Sequence, residues 1–169
     1  MPKPDLQTLP PHLHDEINAV EQDDVKEAFA KRFDVISFLK NIPDEKWMHS
    51  YAEGKWTIKA VVQHLIDAER IFCNRALIVA RKDSNQPLLS FEEEDYAAHA
   101  NADKRTKEDL MSEFEAVQHS SRKLFESFDE EQLNNKGQVS NYRIDSNALG
   151  FVVLGHTLHH VDIINERYL

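Results

Sequence analysis

Cysteine is almost absent from this 169-residue chain, Cys73 being its only one. No intramolecular disulfide is possible, so the reducing cytoplasm is the expected setting. Glycine is scarce as well, with 4 residues, and no convincing run of alternating polar and apolar residues reads as a strand, which sets sheet-rich classes aside. No apolar stretch approaches a membrane span; the longest, over 148–154, is interrupted by Gly150. No apolar segment of the signal-peptide kind follows the N-terminal residues either. Basic residues are outnumbered, 20 Lys and Arg against 30 Asp and Glu for a net charge of -10. Without a basic patch a nucleic-acid partner is not expected, and a small molecule or a protein is.

Charged residues make up 30% of the chain, and its apolar positions repeat at helical spacing. Together these predict an all-α protein, with a helix bundle as the leading architecture. The length suits one domain with a sizeable core. Residues 1–15 hold four of the six prolines and read as an extended arm in front of a single domain over 16–169.

Four long helices are predicted. The first covers about 16–40, with Val25, Phe29, Ile36 and Leu39 inward, acids early and basic residues late. The second follows an N-cap at Thr57 and runs to about Ala80; the third covers about 106–128 behind Thr106. The fourth covers 146–168, capped by Asp145 or Ser146. Between them the sequence suggests a turn over 83–87, a brief helix within 91–99 and a polar connection over 129–143.

Three of the nine histidines crowd into the last helix, at positions 156, 159 and 160. At about 100° per residue, His156 and His160 project in nearly the same direction, one turn apart, among Leu149, Val152, Val153 and Ile163. His159 falls about 60° away. Imidazoles at i and i+4 are a common way for one helix to give a metal two nitrogen ligands. On the second helix His64 is likewise centred on the inward face, with Ala60, Val61, Ala68 and Ile71. Bundles build metal sites from inward side chains on facing helices. His64, His156 and His160 therefore make a three-histidine site, with a vacancy for water or substrate. Zinc comes first as the metal and nickel next, since imidazole suits both. Each histidine also has an ordinary reading as a hydrogen-bonded core or interface residue.

Asp67 stands one turn beyond His64 and about 60° from it. It would orient a ligand ring, take a proton or become a fourth ligand, or else sit on the helix surface as an ordinary carboxylate. Cys73 points about 180° away from His64, which speaks against a thiolate ligand or nucleophile. Arg75 shares the face of His64 and would anchor an anionic substrate or pair with an acid. Trp56 would close the bundle end or wall the pocket mouth. His12, His14, His49, His99 and His119 have no partner at useful spacing.

The run Trp56-Thr57, His64-Leu65, Asp67 and Glu69 resembles the first motif of the DinB-like four-helix proteins. Gly155-His156, His160, Asp162-Ile163 and Glu166 resemble the second. The resemblance implies an up-down-down-up bundle, often a homodimer, with His64, His156 and His160 as metal ligands. It also implies a metal-dependent enzyme acting on a small electrophile, foremost an S-transferase using a low-molecular-weight thiol such as bacillithiol, mycothiol or glutathione. Alternatives are a hydrolase using metal-activated water and a non-catalytic metal- or ligand-binding bundle. The apolar far side of the last helix, with Phe151, Leu154, Leu158 and Val161, packs against the arm or forms a dimer seam.

Overall fold

Three side chains with oxygen acceptors start the long helices as the sequence predicts. In the computed structural model, which describes every residue except 33, 84, 89 and 140, Thr57 accepts from the Ala60 amide, Thr106 from Asp109 and Asp145 from Ala148. Each satisfies an otherwise orphaned N–H at the start of a helix.

The first predicted helix is not continuous. It is divided into α1 (His14–Ala19), α2 (Val25–Ala30) and α3 (Val35–Asn41). Asp24 and Asp34 cause the restarts: Asp24 accepts from the amides of Lys26 and Glu27, and Asp34 from that of Ser37. An aspartate in a helix interior competes for backbone donors and favours a cap instead. The positions Val25, Ala28, Phe29, Val35 and Leu39 are buried all the same; α2 and α3 pack on α6 and α1 packs on α8, so the three pieces together serve as the first wall of the bundle.

Helix α4 (Ile58–Ala80) follows, then the short α5 (Glu93–His99), α6 (Lys107–Ser127), α7 (Glu130–Asn134) and α8 (Ser146–Arg167). Contacts give their directions. His64 meets His156 while Ala76 meets Ser146, so α4 and α8 are antiparallel. Gln63 meets Arg105, Arg70 meets Glu113 and Cys73 meets Ser121, so α4 and α6 are parallel. Lys26 reaches Glu126 while Lys40 reaches Glu115, which sets α2 and α3 against α6. The result is an up-down-down-up four-helix bundle.

Every residue of α8 from Ser146 to Thr157 is buried. A helix covered on all sides needs partners on more than one face. One face meets α4. Against its remaining surface pack Leu9, Leu13, Ile17 and Val20, which share a core with Phe151 and Leu154. Phe151, Leu154 and Leu158 on the far apolar side are therefore covered by the arm together with α1, whereas Val161 lies in the other core with Ile58 and Leu65; the arm forms two single 3-10 turns, at Leu6–Thr8 and Pro11–Leu13, before α1.

The polar connection of 129–143 is more ordered than its composition suggests. A capping box at Asp129 opens α7, and β1 (Lys136–Val139) pairs antiparallel with β2 (Tyr142–Asp145), Lys136 facing Asp145 and Val139 facing Tyr142. An isolated hairpin is marginal in water. This one is held because Val139 and Ile144 are buried and Gly137 lets the strand lie on α4: a Cβ there would stand 2.5 Å from Val79 Cγ2. The predicted turn over 83–87 includes Ser84, which lies outside the described residues. Among the described residues no helix is long and apolar enough to cross a membrane.

Candidate metal centre

Antiparallel packing of α4 on α8 brings His64 to the level of His156 and His160, although 92 residues separate His64 from His156. One ring nitrogen of each lies within 4.8 Å of the others, the one such grouping of histidine, cysteine, aspartate or glutamate among the described residues. Ring centroids are 4.9 Å apart for His64 and His156, 4.8 Å for His64 and His160, and 4.6 Å for His156 and His160. The Nε2 atoms of His64 and His156 are 3.1 Å apart. That is hydrogen-bond length, and it is close to the roughly 3.3 Å edge of a tetrahedral zinc site with nitrogen ligands at about 2.05 Å.

The rings stand among aromatic side chains. Trp56 lies 5.0 Å from His64, and Phe72 meets His156 edge-on at 5.5 Å. Desolvation holds the imidazole of His64 down to about 4 and that of His160 to about 3, and lowers His156 as well, its neighbouring histidines adding to the effect. No carboxylate offsets these shifts. Three neutral imidazoles whose lone pairs are not competed for by protons suit a divalent cation, which requires deprotonated ligands. The residues present therefore fit a divalent metal ion.

The other singled-out residues are distributed as follows. His159 is exposed and stands outside the group, 5.3 Å from the His160 ring. Asp67 is also outside it: its carboxylate accepts from Gln63 at 3.1 Å, toward α6, where Arg105 donates to Gln63 and binds Glu113. Burial raises the Asp67 carboxyl, opposed by the Gln63 bond and by Arg70 and Arg105. Cys73 faces α6, its Sγ 3.2 Å from Ser121 Oγ, and burial pushes its thiol up to about 12. It is sealed away from the histidines.

A cavity of about 370 Å³ opens beside His156. Its walls include Phe72, Arg75 and Phe91, with Glu16 from α1, Glu93 from α5 and Tyr142 from β2. The Arg75 guanidinium lies over the Phe72 and Phe91 rings at 5.4 and 5.9 Å. A larger depression of about 800 Å³, between the C-terminal end of α4 and β1, is remote from the histidines and contains none.

Sequence reasoning missed Glu16 and Glu93. A signal existed for the first, in Gly155 beside His156. A Cβ at this position would lie 1.9 Å from the Glu16 carbonyl oxygen. Only glycine allows α1 to come so close, and the contact delivers Glu16 to the level of His156 on α8.

Comparison with known proteins places the chain. The family model of the DinB superfamily matches residues 30–164. No curated protein matches the chain. Among solved structures, it is similar to YfiT from Bacillus subtilis, a protein described as a probable metal-dependent hydrolase with an unusual four-helix bundle topology. The identity is 18% and the TM-score 0.66, over 97% of this chain and 90% of that one. It is also similar to YjoA, a DinB-like protein from Bacillus subtilis, at 17% identity and a TM-score of 0.58 over 83% and 86% of the two chains. At such identities the likeness speaks for the fold.

Proposed function

We propose that this chain, which belongs to the DinB superfamily, holds a divalent metal ion through His64, His156 and His160 and acts as a hydrolase on a small organic substrate. The observation that carries the reading is the convergence of three nitrogen donors within 4.8 Å, one of them in the wall of a 370 Å³ cavity. The description of YfiT as a probable metal-dependent hydrolase supports it. A zinc ion, or nickel next, would supply Lewis-acid polarisation and a nucleophile at neutral pH. Phe72, Phe91 and Tyr142 form a partly dry wall against which a small organic molecule would be held and bulk water limited. Asp67 is assigned a positioning part, steadying through Gln63 the turn of α4 that projects His64.

Metal analysis of the protein purified without an affinity tag, repeated after His64→Ala, His156→Ala and His160→Ala, tests the reading. Each substitution is expected to lower metal content strongly, and unchanged content in all three overturns it. Asp67→Asn is expected to weaken metal retention without shifting the pH profile of turnover.

Transfer of a low-molecular-weight thiol to an electrophile is the second reading. Arg75 in the cavity wall favours it, because glutathione and bacillithiol carry carboxylates that a guanidinium binds well. Cys73 cannot be the nucleophile, so the thiol would be imported. Turnover of esters or amides without added thiol separates the two. A homodimer in the cytoplasm belongs to the same proposal.

A further inference from the structure

The cavity beside His156 has an electrostatic asymmetry that the metal-site reading does not use. Glu16 is half-buried in its wall and Glu93 stands at its exposed rim. Each reaches it from a different element, α1 and α5. Neither carboxylate has a hydrogen bond or ion pair among the described residues, whereas other enclosed acids do: Glu69 binds Arg32, and Glu113 binds Arg70 and Arg105. A partly buried carboxylate without a partner is costly, and a ligand that supplies the missing positive charge relieves that cost.

The wall that carries the pair also holds Arg75 and the imidazole of His12. Glu93 opens α5 in the run Glu92-Glu93-Glu94-Asp95, so the rim is acidic. Arg75 sits beside Tyr142 and is stacked over Phe72 and Phe91, and His159 of α8 opposes the acids around Glu93. Burial, then the charge of Glu93, pushes the Glu16 carboxyl up to about 7. Phe72 and Phe91, packed edge to face at 6.2 Å, provide the apolar surface between these acids and His156, itself only 6% exposed.

We propose that this cavity selects substrates carrying a protonated amine on a short apolar or aromatic body, the ammonium between Glu16 and Glu93 and the reactive group toward His156. An ammonium offers three donors to two carboxylates, and an aromatic body stacks against phenylalanine rings. A carboxylate beside Glu16 and Glu93 would be repelled; one turned the other way would meet Arg75, the contact that the thiol-transfer reading uses. The proposal rests on the metal-dependent reading for the place where the reactive group lies, but the charge preference itself needs no metal.

Benzylammonium, benzyl alcohol and benzoate are three probes of one shape and different charge. Their binding to the metal-loaded protein at pH 8, measured by ligand-observed NMR, tests the proposal. Benzylammonium is expected to bind about fivefold more tightly than benzyl alcohol, the upper scale of an exposed ion pair, with benzoate weakest. Glu16→Gln and Glu93→Gln should each remove most of that preference, and the double variant all of it. Glu108→Gln, an exposed acid on α6, should leave it intact, and the melting temperature of every variant confirms folding. Equal binding of benzyl alcohol or benzoate overturns the proposal, as does a preference that survives in the double variant. Repeating the measurement after metal removal separates the two readings. If the histidine variants keep their metal while the amine preference persists, the metal assignment falls and the amine selection stands.

Discussion

The carboxylate of Glu69 and the guanidinium of Arg32 meet as a two-pronged fork, at 2.8 and 2.9 Å, in a part of the interior where Glu69 is only 2% exposed. Arg32 comes from the break between α2 and α3, and its Nη2 also donates to Thr157 Oγ1 at 2.9 Å, next to His156 in the chain. One side chain thus ties the interrupted first wall of the bundle to both helices that carry the clustered histidines. Paired, a buried ion pair adds little; broken, it leaves a bare charge.

Arg32→Met is therefore expected to destabilise the protein by about 3 to 5 kcal/mol, since Glu69 stays buried without its cation. Adding Glu69→Leu should restore a large part of that loss. Urea unfolding of the two single variants and the double variant gives the comparison. A double variant no more stable than Arg32→Met contradicts the account.

Gly155→Ala is expected to cost about 1 to 3 kcal/mol, the scale of overpacking. The intruding atom would meet backbone, the Glu16 carbonyl at 1.9 Å, rather than a side chain able to swing aside. The variant should melt lower and its first residues should become accessible to protease. Retained metal together with a loosened arm is the expected pattern.

The metal-free protein should lose stability as pH falls below about 6.5. Histidines titrate near that value in an unfolded chain, but in the folded one burial lowers His64 to about 4, His160 to about 3 and His156 in the same direction. Between those limits the unfolded chain binds more protons, so each group removes up to about 1.4 kcal/mol per pH unit. Urea midpoints at pH 7, 6 and 5 after chelation measure it. His160→Leu should show a shallower decline.

Cys73 should resist thiol reagents in the native state and react only on unfolding, because its thiol is buried and pushed up to about 12. Cys73→Ser is expected to keep metal and turnover. Rapid labelling of the folded protein would contradict both expectations.

What was legible in the sequence follows from which signals are local. Thr57, Thr106 and Asp145 announce their helices by residue type and place. Helical phase alone separates His156 and His160 from His159, and the structure gathers the first two with His64. The break in the first wall was hidden because Val25, Phe29 and Leu39 keep one helical phase across it. Asp24 looked like a helix-favouring early acid when it is a cap. The hairpin of β1 and β2 was hidden because two four-residue strands are too short to show alternation, and their order comes from packing on Val79. The acidic cavity was beyond reach because α1, α5 and β2 each give it only a side chain or two, and nothing in their own periodicity points to a shared space.

Joining of the chain's two ends also sets the order in which the molecule can assemble. Asn147 donates to the Pro2 carbonyl across 145 residues of sequence, and Gly155 receives α1 in the same region. Helical proteins fold quickly when their contacts are local, and closure of so long a loop is slow by comparison. During synthesis the arm emerges first but has no seat until α8 leaves the ribosome. The histidines of α4 and α8 meet across 92 residues, a closure almost as costly, so the arm and the histidine cluster alike wait for the last helix.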